Sequence, residues 1–254
     1  MVDQKPVVFF HVMKCGGTSV RAALAIAVAG RGDGPDIFEL DGTAAKTAAG
    51  GTDEDNWRFR DALLPYIAST LQPCLILGHF RYRERYRELL PAAHLVTMLR
   101  EPVERLVSLY KYRRHKEGVD VPVSMTFDEF LESRRWANEG HAYVRTFCGV
   151  DDIDPRSPQA VRLAVANLQR FAVVGLLERL DEFSDQMMAS IGKQVTMPRL
   201  NRSPAPDGAP GEAIGANSLK RAQEICEPDR QVYEQVLAHA GTVAGGRGRV
   251  RRRT

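Results

Sequence analysis

Four short runs of consecutive apolar residues punctuate the chain, separated by longer stretches whose apolar positions recur every three to four residues. The runs cover residues 7–13 (VVFFHVM), 75–80 (LILGHF), 94–99 (HLVTML) and 171–177 (FAVVGLL), and they lack the alternation of a sheet with one wet face. They predict buried strands. The breaker pair Gln72-Pro73 introduces the second. Helical spacing predicts helices over 19–29, 102–115, 127–136, 158–169, 180–191 and 217–240, the last interrupted near Pro228. Segments 30–55 and 203–215, rich in Gly, Ala, Pro and Asp, read as loops, and 30–71 as a whole matches no pattern. Strands separated by helices need crossover connections, so the expected class is α/β, with a central, mainly parallel sheet flanked by helices in three layers. Ligands of such sheets sit beyond the carboxyl ends of the strands.

Composition narrows the classes of function. With 254 residues, 44% of them hydrophobic, the chain can bury one full core, and no shift in composition marks an internal boundary. One domain over 1–241 is expected. The Gly/Arg tail over 242–254 cannot bury a core and reads as disordered. A net charge of only +3 argues against a surface that tracks nucleic acid. Cys15, Cys74, Cys148 and Cys226 are scattered without a C-x-x-C pair, which predicts neither a disulfide framework nor a zinc site. No run reaches the roughly 18–20 apolar residues of a membrane span, and MVDQKP lacks a signal pattern. The expectation is a cytoplasmic protein with no membrane span.

The junction after the first predicted strand, His11-Val-Met-Lys-Cys-Gly-Gly-Thr-Ser-Val20, carries the first chemistry. Gly16 and Gly17 let the backbone turn without a Cβ in the way of a ligand. The hydroxyls of Thr18 and Ser19, the first free amides of the next helix and its positive dipole end then converge on one point that the Lys14 ammonium can also reach. Such a corner suits a multiply charged oxyanion. An ordinary capped strand-to-helix turn would look the same, and only the order of residues separates the two. The phosphate loop of nucleotide hydrolases has its lysine after the glycines, G-x-x-x-x-G-K-[ST]; here Lys14 precedes them. That order resembles the 5′-phosphosulfate loop of sulfotransferases using 3′-phosphoadenosine 5′-phosphosulfate (PAPS), in the form H-x-P-K-x-G-G-[TS]-[ST] of the carbohydrate sulfotransferases. Met13 stands in place of its proline. The resemblance implies a P-loop-type fold, with Lys14, Cys15, Gly16, Gly17, Thr18 and Ser19 binding the cofactor.

A second corner follows the third predicted strand. In Arg100-Glu-Pro-Val-Glu-Arg-Leu-Val-Ser-Leu-Tyr110, Glu101 is biased to extended geometry by the proline, and Pro102 suits a first helical position. Val103, Leu106, Val107 and Tyr110 form the expected buried stripe, which leaves Ser108 on a side with Glu104 and Arg105. A guanidinium and a hydroxyl at a strand end suit a second phosphate, while the plainer alternative is Arg100 paired with Glu101 or Glu104. The run is similar to R-[DE]-P-x-x-R-x-x-S-x-[YF], the 3′-phosphate signature of the same sulfotransferases, which implies Arg100 and Ser108 as further cofactor contacts.

Between the corners lies Leu77-Gly-His-Phe-Arg-Tyr-Arg-Glu-Arg-Tyr86. A histidine at about pKa 6.5 is suited to take a hydroxyl proton. Gly78-His79-Phe80 resembles the segment that supplies the catalytic histidine in the glycan 2-O-type branch, with Arg81 where a proline is usual. His11 is a lesser candidate beside the loop. Arg81 and Arg83, with Arg85 and Arg87 behind them, read equally as a solvated face balanced by Glu84 and Glu88 or as a substrate patch. In the second reading they bind an acidic glycan while Tyr82 and Tyr86 stack on sugar rings. Segments 138–147 and 171–181 resemble the family's acceptor-side segment and a strand-and-turn, and Leu200-Asn-Arg-Ser203 stands in the place of a family loop that closes over the nucleotide, which implies Arg202 as a further cofactor contact.

The implied function is transfer of a sulfuryl group from PAPS to a hydroxyl on a carbohydrate or glycan, without metal and with PAP as product. Lys14 and His79 carry catalysis, Lys14 by stabilising charge on the bridging oxygen and His79 as base. A P-loop-like kinase and a non-catalytic polyanion binder are the rivals. Acceptor identity, oligomeric state, adenine contacts and the roles of 30–71 and the basic tail are not readable from the sequence.

Overall fold

The computed structural model describes residues 5–29, 36–115, 123–197 and 214–245. Five strands, β1 (Val7–Phe10), β2 (Ile37–Glu39), β3 (Leu75–Gly78), β4 (His94–Leu99) and β5 (Val173–Leu176), form one sheet in the order β2-β3-β1-β4-β5. Every pairing is parallel. The α/β class with a helix-flanked parallel sheet is therefore observed. All of β1 and β3 is buried, as strands covered on both faces must be. Four strands coincide with the apolar runs, but β1 stops at Phe10. His11 N still donates to Gly78 O, after which 11–13 leave the sheet and line the site instead.

The crossings are made by α1 (Gly17–Ala29), α2 (Gly42–Ala49), α3 (Asp53–Thr70), α4 (Tyr86–Leu89), α5 (Pro102–His115), α6 (Phe127–Glu132), α7 (Arg134–Ala137), α8 (Ala142–Phe147) and α9 (Pro158–Leu168). After β5 come α10 (Leu180–Ile191), α11 (Ala216–Ile225) and α12 (Glu227–Gly245). Leaving β1 the chain moves to the β2 edge, and leaving β4 it moves to the β5 edge. These neighbours send their connections in opposite directions. In open sheets, ligands bind at the carboxyl ends where the strand order switches in this way.

Three expectations on elements are corrected. The segment 30–55 is not a loop beyond its undescribed first residues: it holds β2, α2 and the start of α3. Asp41 caps α2 by accepting from Ala44 N at 2.6 Å, and Thr52 and Asp55 cap α3 reciprocally. Pro65 lies inside α3 without ending it. Having no N–H, it leaves the Asp61 carbonyl without its helical donor, and Arg85 Nη2 (2.9 Å) and the Tyr86 hydroxyl (3.3 Å) supply the missing bonds. The helix expected over 127–136 is two, α6 and α7, broken at the extended Ser133. The expected 217–240 helix is interrupted at Cys226, as expected near Pro228, but it does not end at 240: α12 continues to Gly245, four residues into the tail.

The large core wraps the sheet, while a second cluster (Leu106, Leu109, Tyr110, Phe127, Phe130 and Trp136) joins α5, α6 and α7 beside the strand ends. The stripe of α5 is rotated from the expected one: Val103 and Val107 are only half-buried, and Arg105 is wholly buried. Among the described residues no helix is long and apolar enough to cross a membrane.

Candidate active site

The chain turns out of β1 through two left-handed residues, Lys14 (φ 70°) and Gly16 (φ 73°). For glycine that conformation is free; for a lysine it costs about 1–2 kcal/mol. Ser19 N and Val20 N both donate to Gly16 O, whereas the Gly17 and Thr18 amides, first in α1, have no backbone acceptor among the described residues. Two free donors thus stand at the positive end of a 13-residue helix. Thr18 is exposed and Ser19 half-buried beside them. The Lys14 ammonium lies 4.2 Å from the centre of the Tyr112 ring on α5. Cys15 is turned into the protein: its amide donates to Val12 O, and its buried thiol lies 3.5 Å from the Tyr143 hydroxyl. Burial raises that thiol to about 11, so it is protonated.

Gly17 is required by a neighbour. A Cβ there would lie 1.7 Å from Nε2 of His11. Gly17→Ala must therefore displace the imidazole, and an expected loss of about 1–3 kcal/mol is measurable from the urea midpoint. An unchanged midpoint means that the ring moves freely.

Tyr143 ties this loop to the second corner. Its hydroxyl accepts from Arg100 N at 2.9 Å and donates to Arg100 O, besides its contact with Cys15. Glu178 braces the same corner, accepting from Glu101 N and from the Tyr233 hydroxyl, each at 2.9 Å. Glu101 in turn caps α5 by accepting from Glu104 N at 2.7 Å. The Arg100 guanidinium rests on Glu104 at 3.2 Å, with both side chains open to solvent to some degree (25% and 61%). An exposed pair of this kind is worth under about 1 kcal/mol and yields readily to a phosphate. Ser108 is half-buried on α5 and makes no side-chain hydrogen bond among the described residues. Arg105, expected on the open side with Ser108, instead bonds the Glu139 carbonyl and neighbours the buried Asp229 carboxylate, which accepts from Tyr143 N and Val144 N.

His79 stands at the end of β3 with its ring stacked on His11, centroids 4.3 Å apart. Its Nδ1 lies 2.7 Å from the His11 carbonyl. A carbonyl only accepts, so Nδ1 carries the proton and Nε2 keeps its lone pair. Burial depresses the pKa of His79, partly offset by that hydrogen bond and reinforced by Arg60. His11 falls to about 3, through burial first and then His79, Lys14 and Arg21. Both imidazoles are uncharged at neutral pH. His79 is thus already in the tautomer and charge state of a base.

Beside the histidines a cavity of about 990 Å³ opens, lined among others by His11, His79, Trp57, Arg60, Arg81 and Arg113. Lys14, the start of α1, Arg100 and Ser108 lie outside its wall. The arginine patch resolves unequally. Arg81 lines the cavity, stacked 4.4 Å from the Trp57 ring and paired with Glu54 at 3.4 Å. Arg83 does not, its guanidinium held by Asp61 and by Asp151 at 2.6 Å, which makes it a structural residue. Tyr82 and Tyr86 are 1% exposed each, so neither can stack on a sugar. Arg202 lies outside the described residues.

The structure adds residues that no single motif marked: Tyr143, Glu178, Arg60 and the full part of His11. Tyr143 and Glu178 fall inside segments quoted above for resemblance, but which side chain mattered there depended on contacts across 43 and 77 residues. Comparison with family models and with curated proteins finds no match.

Proposed function

We propose that this chain transfers a sulfuryl group from PAPS to a hydroxyl of a carbohydrate or glycan acceptor. One observation carries the reading: the Tyr143 hydroxyl touches both anion corners, on the two sides of the β1/β4 crevice, while His79 in its base tautomer lines the adjoining cavity. Lys14, the Gly17 and Thr18 amides and the hydroxyls of Thr18 and Ser19 hold the 5′-phosphosulfate. Arg100, released from Glu104, and Ser108 hold the 3′-phosphate. His79 Nε2 takes the proton of the acceptor hydroxyl as its oxygen bonds to sulfur, and the S–O bond to the nucleotide breaks with its electrons left on PAP. Charge growing on that oxygen is what the loop donors stabilise, each by about 3–4 kcal/mol. Arg81 and Trp57 face the acceptor.

Binding of PAP separates this reading from its rivals. Calorimetric titration is expected to give binding that survives EDTA, and Arg100→Ala to weaken it about 10- to 100-fold, as loss of a charge-assisted bond implies. Indifference to PAP together with affinity for heparin would replace the enzyme by a polyanion binder. Binding of ATP that needs Mg²⁺ would favour a kinase. The acceptor follows from a screen of labelled sulfate transfer across glycans.

A further inference from the structure

We propose that Arg60 is a positioning residue for His79, tying the main chain at the base to the wall that α3 and the loop after β2 build around the cavity. Arg60 belongs to the stretch that matches no motif, and it is only 6% exposed. Its Nε donates to Asn56 Oδ1 at 2.9 Å, its Nη2 to Gly42 O at 3.1 Å and its Nη1 to the carbonyl of His79 itself at 3.3 Å. One guanidinium thus joins three segments, with the Trp57 ring 5.0 Å away on its own helix.

Arg60 makes no ion pair among the described residues, and Asp41 acts on it only from beyond ion-pair distance. A buried arginine is usually paired with a carboxylate, and a cation without one is costly. Where it sits gives that cost a use. The groups acting on His79 are the stacked His11 ring and the His11 carbonyl from the end of β1, and Arg60 from α3. Lys14 and Arg21 act on the His11 side of the stack. Every charged group among these is a cation and disfavours a second positive charge on the imidazole. The His11 carbonyl fixes which nitrogen carries the proton, burial keeps the ring uncharged, and Arg60 holds the main chain that carries the ring and adds to the effect of burial.

The inference rests on reading His79 as the base, but it is measurable without sulfuryl transfer. In protein labelled with ¹⁵N-histidine, the His79 resonances, assigned with His79→Gln, are expected to show Nδ1 protonated, Nε2 unprotonated and a titration midpoint below 6.5. Arg60→Met is expected to raise the midpoint, burial keeping the rest of the depression, and Arg60→Lys, which keeps the cation, to lower it again toward the wild-type value. The acid limb of kcat/KM moves with the midpoint while the affinity for PAP holds. Arg60→Met that folds, by circular dichroism, with an unchanged midpoint overturns the proposal. Should Arg60→Met fail to fold, Asn56→Ala loosens the guanidinium alone: a smaller rise supports the role and no rise overturns it. Absence of PAP binding with the midpoint shifted as described sinks the enzymatic reading and leaves Arg60 as the residue that poises His79.

Discussion

His79→Ala is expected to lower kcat for the proposed sulfuryl transfer about a hundredfold or more while PAP affinity stays within about twofold, because the proposal gives the imidazole a part in proton removal and none in holding the nucleotide. The geometry decides the split. Nε2 carries the free lone pair, and the ring lies in the cavity wall while the anion corners lie outside it. Removing it takes away a group needed only as the acceptor proton leaves. The pH dependence has a fixed sign: with the His79 pKa below its ordinary 6.5, the base form persists on the acid side of 6.5. Wild-type kcat/KM is therefore expected to be flat through neutrality and to fall only below that value, and the acid limb should vanish in His79→Ala. Turnover at the wild-type level in this variant removes His79 as the base.

How much of this was readable beforehand depended on how far apart the determinants lay. Four strands were legible because they are buried over all or most of their length and so appear as mainly apolar runs. β2 was not, since its three residues are half-buried or exposed at the sheet edge and leave no such run. α3 was concealed by Pro65, which reads as a breaker, whereas the Asp61 carbonyl it strands is satisfied from Arg85 and Tyr86, more than 20 residues on. The anion corners were legible because their donors are local: two glycines, a helix start, an arginine before a proline. The arginines after His79 show the opposite case. Their spacing could not tell a ligand patch from a structural network, because the deciding partners of Arg83, Asp61 and Asp151, lie 22 and 68 residues away.

The same contrast explains why the motif residues are held in place by residues from elsewhere in the chain. Lys14 to Ser19 and Arg100 to Ser108 contain the groups proposed to face an anion, but neither corner fixes itself. Tyr143 clamps both, and the Asp229 carboxylate holds the backbone of Tyr143 from α12. His79 is fixed by His11 from one strand end and by Arg60 from α3. Preorganised donors lower a barrier only if they need not move as charge develops. The second set of residues, which no motif names, provides that condition.

Lys14→Gly and Lys14→Ala are both expected to cut turnover about a hundredfold or more, and yet to differ in stability in a direction opposite to ordinary experience. Each removes the ammonium proposed to stabilise the leaving oxygen, an effect of about 3–4 kcal/mol on the barrier. Each also removes the contact with Tyr112, worth about 0.5–1 kcal/mol. Elsewhere alanine is the more stabilising of the two because glycine gives the unfolded chain more freedom. At φ 70° the Cβ meets the following carbonyl, and strain of about 1–2 kcal/mol outweighs that freedom. Lys14→Gly should therefore unfold at a higher urea concentration than Lys14→Ala, by an amount matching about 1 kcal/mol or less. Strain retained at a residue that also carries charge is expected where position matters more than stability. Wild-type turnover in both variants would remove Lys14 from the chemistry, and alanine more stable than glycine would mean that the loop relaxes out of the left-handed turn in solution.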